Sequence, residues 1–260
     1  MLRFQKLQAT GNDFIILDQP PHTLTEDQRQ LLCDRHFGIG ADGLLWIEPI
    51  RVIHSHQTGI FRMYYWNADG REGTFCGNGA RVAFWLAHKR WNVSHGILLA
   101  ADGAHEAYIV AKNPQLVAVQ LHLQRLPYQL SQDRWFVHTG SPHLLIQTSH
   151  EELRSLPISE IAPPLRQDKS LDPGGVNVSF FASDGNGGWY LRTYERGVEA
   201  ETLSCGTACV ALAAVLSQSQ AHIYTRGGKL TVRGGAHGAF WLIGSVGFCF
   251  QGEYGAPDSI

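Results

Sequence analysis

The sequence predicts an α/β (α+β) protein of two pseudo-symmetric domains, each a curved mixed β structure wrapped around a central buried helix. Three observations carry this prediction. Most of the chain reads as short strands separated by glycine- and Asn/Asp-rich turns. Two helical segments, residues 80–87 (ARVAFWLA) and 208–216 (ACVALAAVL), are apolar nearly all the way round. A helix without a polar face is buried on all sides. The halves also echo each other: Cys76-Gly77 and Cys205-Gly206 each open one of these helices, half a chain apart, with a tyrosine eleven residues before each cysteine (Tyr65, Tyr194).

The elements follow in chain order. Phe14–Asp18, Leu44–Glu48, Phe61–Trp66, Glu106–Ala111 and Leu116–Leu123 are strand-like by β-branched and aromatic content. In the second half Val176–Phe181, Trp189–Glu195, Lys229–Gly234 and Ala239–Gly244 read likewise. Thr25 and Gln28 fit a capping box, opening a helix expected to end near His36, before Gly38. The two buried helices are expected at about Gly79–Trp91 and Thr207–Ser217. The boundary is placed near Asn113-Pro114. That gives an N-terminal domain of residues 1–113 plus about 246–260, carrying Cys76, and a C-terminal domain of 114–245, carrying Cys205.

Composition excludes several classes. The 260 residues are 44% hydrophobic and 17% charged, enough apolar surface for a core, so disorder is excluded as the overall state. A net charge of −2 gives no basic excess for nucleic acid or an anionic membrane. The longest apolar run, Ala208 to Leu216, falls well short of the roughly twenty residues of a membrane span. The opening MLRFQKLQAT shows no signal peptide, so a cytoplasmic protein is expected. The five cysteines (Cys33, Cys76, Cys205, Cys209, Cys249) form no C-x-x-C pair and are too sparse for a disulfide framework. Cys33, Cys209 and Cys249 read as core residues.

A cysteine at a helix start meets unpaired backbone N–H groups and the positive end of the helix dipole. Such positions lower a thiol pKa from ~8.5 to about 3.5–7.5. Two such thiols, one as thiolate and one as thiol, are what is needed to take a proton from one face of a carbon and return one to the other. The reaction class is racemisation or epimerisation. The N–H groups of Gly77, Asn78, Gly206 and Thr207 suit a carboxylate, whose developing enolate charge the same donors stabilise. The substrate is then a small amino acid or hydroxy acid. No pyridoxal-phosphate lysine motif or metal cluster is visible, so no cofactor and no metal are expected; His54-x-His56 lacks a third ligand at matching spacing.

These residues resemble the diaminopimelate epimerase family. The matching segments are Thr10-Gly11-Asn12-Asp13-Phe14, Gly38-Ile39-Gly40-Ala41-Asp42-Gly43, Asn67-Ala68-Asp69-Gly70, Cys76-Gly77-Asn78-Gly79-Ala80-Arg81, Gly140-Ser141-Pro142-His143, Asn177-Val178, Glu195-Arg196-Gly197 and Cys205-Gly206-Thr207. They stand in the family's order and cover nearly the whole chain. The resemblance implies interconversion of L,L- and meso-2,6-diaminopimelate without cofactor, in lysine and peptidoglycan precursor synthesis. It implies Cys76 and Cys205 as the acid/base thiols and Gly77, Asn78, Gly206 and Thr207 at the reacting end. It further implies Asn12, Asn67, Asn177, Glu195 and Arg196 as substrate holders, with His143 and Glu195 tuning the thiols. An Arg beside an acidic residue suits a distal carboxylate and ammonium.

The chain departs from the family pattern in four places. Ser141 stands where many members have Asn, and Gly43 where they have Gln. Ala208 replaces a glycine, which fits a position inside the first turn of a helix. Phe250 stands where some members have a tyrosine used in dimer contacts, so a homodimer is an expectation that residue identity does not secure. Two other readings share these features, a proline or hydroxyproline racemase and a catalytically silent small-molecule binding protein. A phenazine-type isomerase of the same architecture fits less well, because that group does not rely on a cysteine pair. The Glu195-Arg196 pair and the three asparagines favour a substrate with a charged distal end.

Overall fold

The computed structural model describes residues 1–234 and 238–255. Its backbone contacts divide the chain into two compact units, Met1–Val119 with the segment from Ser245 onward, and Gln120–Gly244. Residues 256–260, assigned from sequence to the first domain, lie outside the described residues.

The first unit opens with a hairpin of strands Leu2–Ala9 and Asn12–Leu17, with Ala9 paired to Asn12. Its two turn residues, Thr10 and Gly11, have φ of 50° and 83°. Positive φ at both positions is what a two-residue hairpin turn requires to match the strand twist. Asn12–Leu17 runs parallel to Gly43–Ile53, which pairs antiparallel with Thr58–Asn67. That strand runs parallel to His95–Ala100, which pairs antiparallel with Gly103–Ile109. Parallel neighbours need a crossover. The Glu26–Cys33 helix lies in the first crossover and the Gly77–Trp91 helix in the second. The returning strand Gly247–Tyr254 pairs antiparallel with Leu2–Ala9.

The second unit repeats this scheme. Arg134–His138 is antiparallel to Pro142–Gln147, which is parallel to Asn177–Ser183. Asn177–Ser183 is antiparallel to Gly188–Glu195, which is parallel to Gln220–Thr225. Gln220–Thr225 is antiparallel to Gly228–Gly234. The crossovers are the short helices His150–Ser155 and Ile158–Arg166, then the Gly206–Leu216 helix. The alternation of antiparallel and parallel pairs is therefore the same in both units. The Cys-Gly helix is the second crossover in each.

Both crossover helices sit inside their own unit. Val82, Ala83 and Phe84 are fully buried in the first, as are Ala208, Cys209, Val210 and Leu212 in the second. Phe84 alone removes enough apolar surface from water to stabilise the fold by roughly 1.5–3 kcal/mol. Each helix ends on a residue with left-handed backbone, Asn92 and Ser217. Among the described residues no helix is long and apolar enough to cross a membrane.

The structure corrects several expectations. The Thr25 capping box is present, but the helix stops at Cys33 rather than near His36. Asp34 turns the chain because its carboxylate accepts the N–H groups of His36 and Phe37 at 2.7 and 2.8 Å, a local alternative to helical bonding. The His150–Ser155 and Ile158–Arg166 helices are additions to the expected set. The first carries a visible capping box, Ser149 with Glu152, and the second is disguised by Pro163 and Pro164 within it. Cys33 and Cys209 are buried, but Cys249 is exposed, because its strand is accessible through Phe248–Gln251.

Candidate active site

In the first unit, Cys76 is the N-cap of its helix, half-buried, and its Sγ accepts the Gly79 N–H at 3.4 Å. The amides of Gly77 and Asn78 belong to the first turn, where no intrahelical acceptor exists. The hairpin turn at Thr10-Gly11 delivers Asn12 beside the sulfur, with Oδ1 3.6 Å from Cys76 Sγ. The same oxygen accepts Asn78 Nδ2 at 3.3 Å, while Asn12 Nδ2 donates to Asp42 Oδ2 at 2.8 Å. Cys76 thus has a backbone donor suited to a thiolate and an amide oxygen suited to a thiol.

Two supports hold this arrangement. Arg81, fully buried, donates to Asn78 Oδ1, to Thr10 Oγ1 at 3.0 Å and to the Ser245 carbonyl at 3.4 Å. It thereby anchors Thr10, a β-branched residue held at positive φ, a conformation that costs energy unless its surroundings enforce it. Asp13 forms ion pairs with Lys6 and Arg35, each at 2.9 Å. Burial would raise the Asp13 pKa, but hydrogen bonds from Arg35 and Lys6 outweigh it and bring it down to about 2. The same cluster lies by Cys33, whose burial pushes its thiol up to about 12 and out of acid/base use near neutrality.

Asn67 closes the Thr58–Asn67 strand, and its Nδ2 lies against Gly73, 3.3 Å from where a Cβ there would stand. Gly43 pairs with Asn67 in register. A Cβ at position 43 would meet the Trp66 carbonyl at 2.5 Å and the Tyr65 ring at 2.8 Å, so this packing explains the absence of a side chain there.

In the second unit Cys205 is also an N-cap, but it is only 5% exposed. The position alone predicts a lowered pKa; the surroundings reverse that. Burial is the largest influence and the Glu195 carboxylate adds to it, so the thiol is pushed well above its ordinary value. The Thr207 hydroxyl and Ala208 amide pull the other way without prevailing. Glu195 accepts a short hydrogen bond from Thr202 Oγ1. Ala208 is fully buried in the first turn of the helix, which needs no glycine there.

Around Cys205 lies a run of polar side chains. Thr207 Oγ1 is 3.3 Å from Cys205 Sγ and accepts from Ser141 Oγ at 3.4 Å. Ser141 Oγ is 3.0 Å from His143 Nε2 and accepts Asn177 Nδ2 at 3.3 Å. Asn177 also donates to the Pro142 carbonyl at 3.1 Å and accepts the Arg196 N–H at 2.9 Å, so its amide is engaged within the protein. His143 is completely buried; desolvation first, then the nearby charges of His138 and Arg196, lower its pKa to about 3 and hold it neutral. The Arg196 guanidinium faces Asp172 at 3.6 Å and the Gly175 carbonyl at 3.4 Å.

Contacts bring together Asn12, Cys76, Gly77 and Asn78 in the first unit and His143, Asn177, Glu195, Arg196, Cys205, Gly206 and Thr207 in the second, whereas Asn67 is placed in the first unit only by its strand end beside Gly73. Sequence reasoning gives no supporting role to Arg81, Asp13, Asp42 or Lys6. The first three stand inside recognised motifs, whereas Lys6 carries no local signal at all. Thr202, the partner of Glu195, is equally invisible because strand pairing brings it there.

Comparison with known proteins follows the same lines. The family model described as diaminopimelate epimerase matches residues 4–100. A diaminopimelate epimerase from Chlorobaculum tepidum is 39% identical over 220 residues, 80% of each chain. One from a Hydrogenobaculum species is 34% identical over 248 residues, 86% of this chain and 88% of that one. Among solved structures, a phenazine biosynthesis protein of the PhzF family from Enterococcus faecalis superposes with a TM-score of 0.73. At 14% identity, covering 98% of this chain and 100% of the other, it shares the fold alone.

Proposed function

Because the chain belongs to the diaminopimelate epimerase family, we propose that it interconverts L,L- and meso-2,6-diaminopimelate with two cysteines and without pyridoxal phosphate or another cofactor. The observation that carries this reading is the duplicated helix start: a cysteine N-cap at the second crossover of each unit, with first-turn amides suited to an anion.

The substrate α-carboxylate is held by the N–H groups of Gly77, Asn78, Gly206 and Thr207. As the α-proton leaves, charge moves onto that carboxylate, and donors already in place stabilise it more than the ground state. One sulfur, as thiolate, takes the proton; the other, as thiol, gives a proton to the opposite face. Turnover leaves the two protonation states exchanged. The raised pKa of Cys205 supports Cys205 as the initial donor and Cys76 as the initial base. The Gly79 amide supports the Cys76 anion, and the Asn12 oxygen receives its S–H after proton capture. At the distal end the Arg196 guanidinium exchanges Asp172 for the substrate carboxylate, Glu195 meets the ammonium group and Asn67 adds a contact. Asn12 stays beside Cys76, and Asn177, its amide engaged by Ser141, Pro142 and Arg196, serves by positioning Arg196. His143 and Glu195 tune the thiols.

In this reading the enzyme is cytoplasmic and serves lysine and peptidoglycan precursor synthesis. It forms a homodimer, with the half-exposed Phe248 and Phe250 as contacts, and has no nucleic-acid or membrane partner. Sedimentation at micromolar concentration tests the dimer. Deuterium wash-in at the α-carbon of L,L-diaminopimelate in heavy water tests the chemistry: exchange and epimerisation are expected with no added cofactor. Turnover of proline in place of diaminopimelate would overturn the substrate assignment.

A further inference from the structure

The Ser141 hydroxyl is the hub of the side chains around Cys205. Its neighbours fix the direction of each of its hydrogen bonds. Asn177 Oδ1 accepts the Arg196 N–H, which orients the amide so that Nδ2 faces Ser141 Oγ as donor. One acceptor site of the serine is therefore occupied. Buried His143 is neutral, and a neutral imidazole has one donor and one acceptor nitrogen. Its Nδ1 has no hydrogen-bond partner among the described residues. A proton on Nδ1 would be a buried N–H without an acceptor, so the proton belongs on Nε2, donated to Ser141 Oγ at 3.0 Å. With both acceptor sites used, the serine proton points at Thr207 Oγ1, 3.4 Å away. The Thr207 hydroxyl is then left to donate to Cys205 Sγ at 3.3 Å.

We propose that Ser141 is a positioning residue that, oriented by His143 and Asn177, turns the Thr207 hydroxyl toward Cys205 so that it donates to the sulfur whenever that sulfur is a thiolate. The inference rests on the two-cysteine reading above and adds to it a hydroxyl chain running His143, Ser141, Thr207, Cys205. No proton crosses the chain; it only sets direction. Its effect falls on the intermediate stage of turnover, when Cys205 has given up its proton and lies buried as an anion. A charge-assisted hydrogen bond is strongest there. The Ser141 hydroxyl is thereby engaged inward, with no capacity left over for a substrate group.

The test uses the full-length enzyme with Ser141→Ala, Thr207→Val, the double variant and Ser141→Thr. Site-resolved mass spectrometry follows iodoacetamide alkylation of Cys205 and Cys76 against pH, beside steady-state kinetics. Ser141→Ala and Thr207→Val are each expected to move the Cys205 profile to higher pH, leave the Cys76 profile in place, and lower kcat by about tenfold with KM changed less than twofold, the loss of roughly one hydrogen bond to sulfur. The double variant should fall no further than the worse single one, and Ser141→Thr should restore both readouts. A raised KM with unchanged kcat would make Ser141 a substrate contact and overturn the proposal, as would an unmoved Cys205 profile or additive losses. Thiol profiles are read without substrate, so a shift at Cys205 in a protein inactive on diaminopimelate would retain the chain and remove the functional reading instead.

Discussion

The Cys76 and Cys205 helix starts occupy equivalent places in two copies of one strand order, yet they are different chemical settings. Cys76 is half-buried, takes a backbone N–H on its sulfur, and leans on an amide network braced by Arg81 and Asp13. Cys205 is buried, faces the Glu195 carboxylate, and is served by hydroxyl groups. A helix start offers each thiol the same dipole, worth typically 0.3–1 kcal/mol at exposed sites. Desolvation of a buried charge outweighs that contribution. The difference teaches that fold position makes a thiol available, while its immediate surroundings decide which form it takes at rest.

The most severe way to break the comparison is to remove either sulfur. Cys76→Ala and Cys205→Ala are each expected to lower epimerisation by at least about 10³-fold, in the upper range for a general acid or base. The two variants should differ in heavy water. Starting from L,L-diaminopimelate, Cys76→Ala should lose α-proton abstraction, whereas Cys205→Ala should retain some exchange without inversion. Equal loss of exchange in both would erase the distinction between the two thiols.

Next comes the brace under Cys76. Arg81→Ala leaves the Thr10 hydroxyl, the Asn78 amide oxygen and the Ser245 carbonyl without this donor in a buried site. A loss of about 3 kcal/mol is expected by urea denaturation. Stability within about 1 kcal/mol of wild type would show that the network does not depend on the guanidinium.

A smaller effect attends Asp13. Its pKa is depressed in the folded state, so its contribution is present in full above the unfolded value of ~3.9 and is lost as pH falls through about 2. The shift corresponds to about 2 kcal/mol, seen as a falling urea midpoint between about pH 4 and pH 2. Asp13→Asn should flatten that stretch of the curve while lowering stability at neutral pH, because Lys6 then lies buried without its carboxylate.

The mildest change concerns Glu195. Glu195→Gln removes the carboxylate that helps to raise Cys205, so the Cys205 alkylation profile should move to lower pH yet stay above that of an ordinary thiol, since burial is untouched. An unmoved profile would assign the whole elevation to desolvation.

Reading the sequence goes furthest where a residue's role is local. The Thr25–Gln28 capping box, the apolar surfaces of the two buried helices and the Cys-Gly repeat are all legible, because capping, helical periodicity and a helix start depend on neighbours a few positions away. The helix at His150–Ser155 is equally local in its Ser149–Glu152 box, but with six residues after the cap it is too short to show a periodic apolar face. Asn12, Glu195 and Arg196 emerge through motif resemblance; as isolated residues they read as turn and surface positions.

By itself the sequence determined many of the strands, which helices have no face for water, and which two cysteines begin them. It did not mark strands such as Leu2–Ala9, Pro142–Gln147 and Gln220–Thr225, whose composition carries no clear strand signal. Only the tertiary structure decided what surrounds each sulfur. Lys6 and Arg35 reach Asp13, Arg81 reaches Thr10, and Ser141 reaches Thr207 because separate strands and turns converge, and no local pattern encodes that convergence. The resting form of a thiol is set by desolvation and by charges a few ångströms away. Those are properties of packing, and for Cys205 packing reverses what its place at a helix start implies.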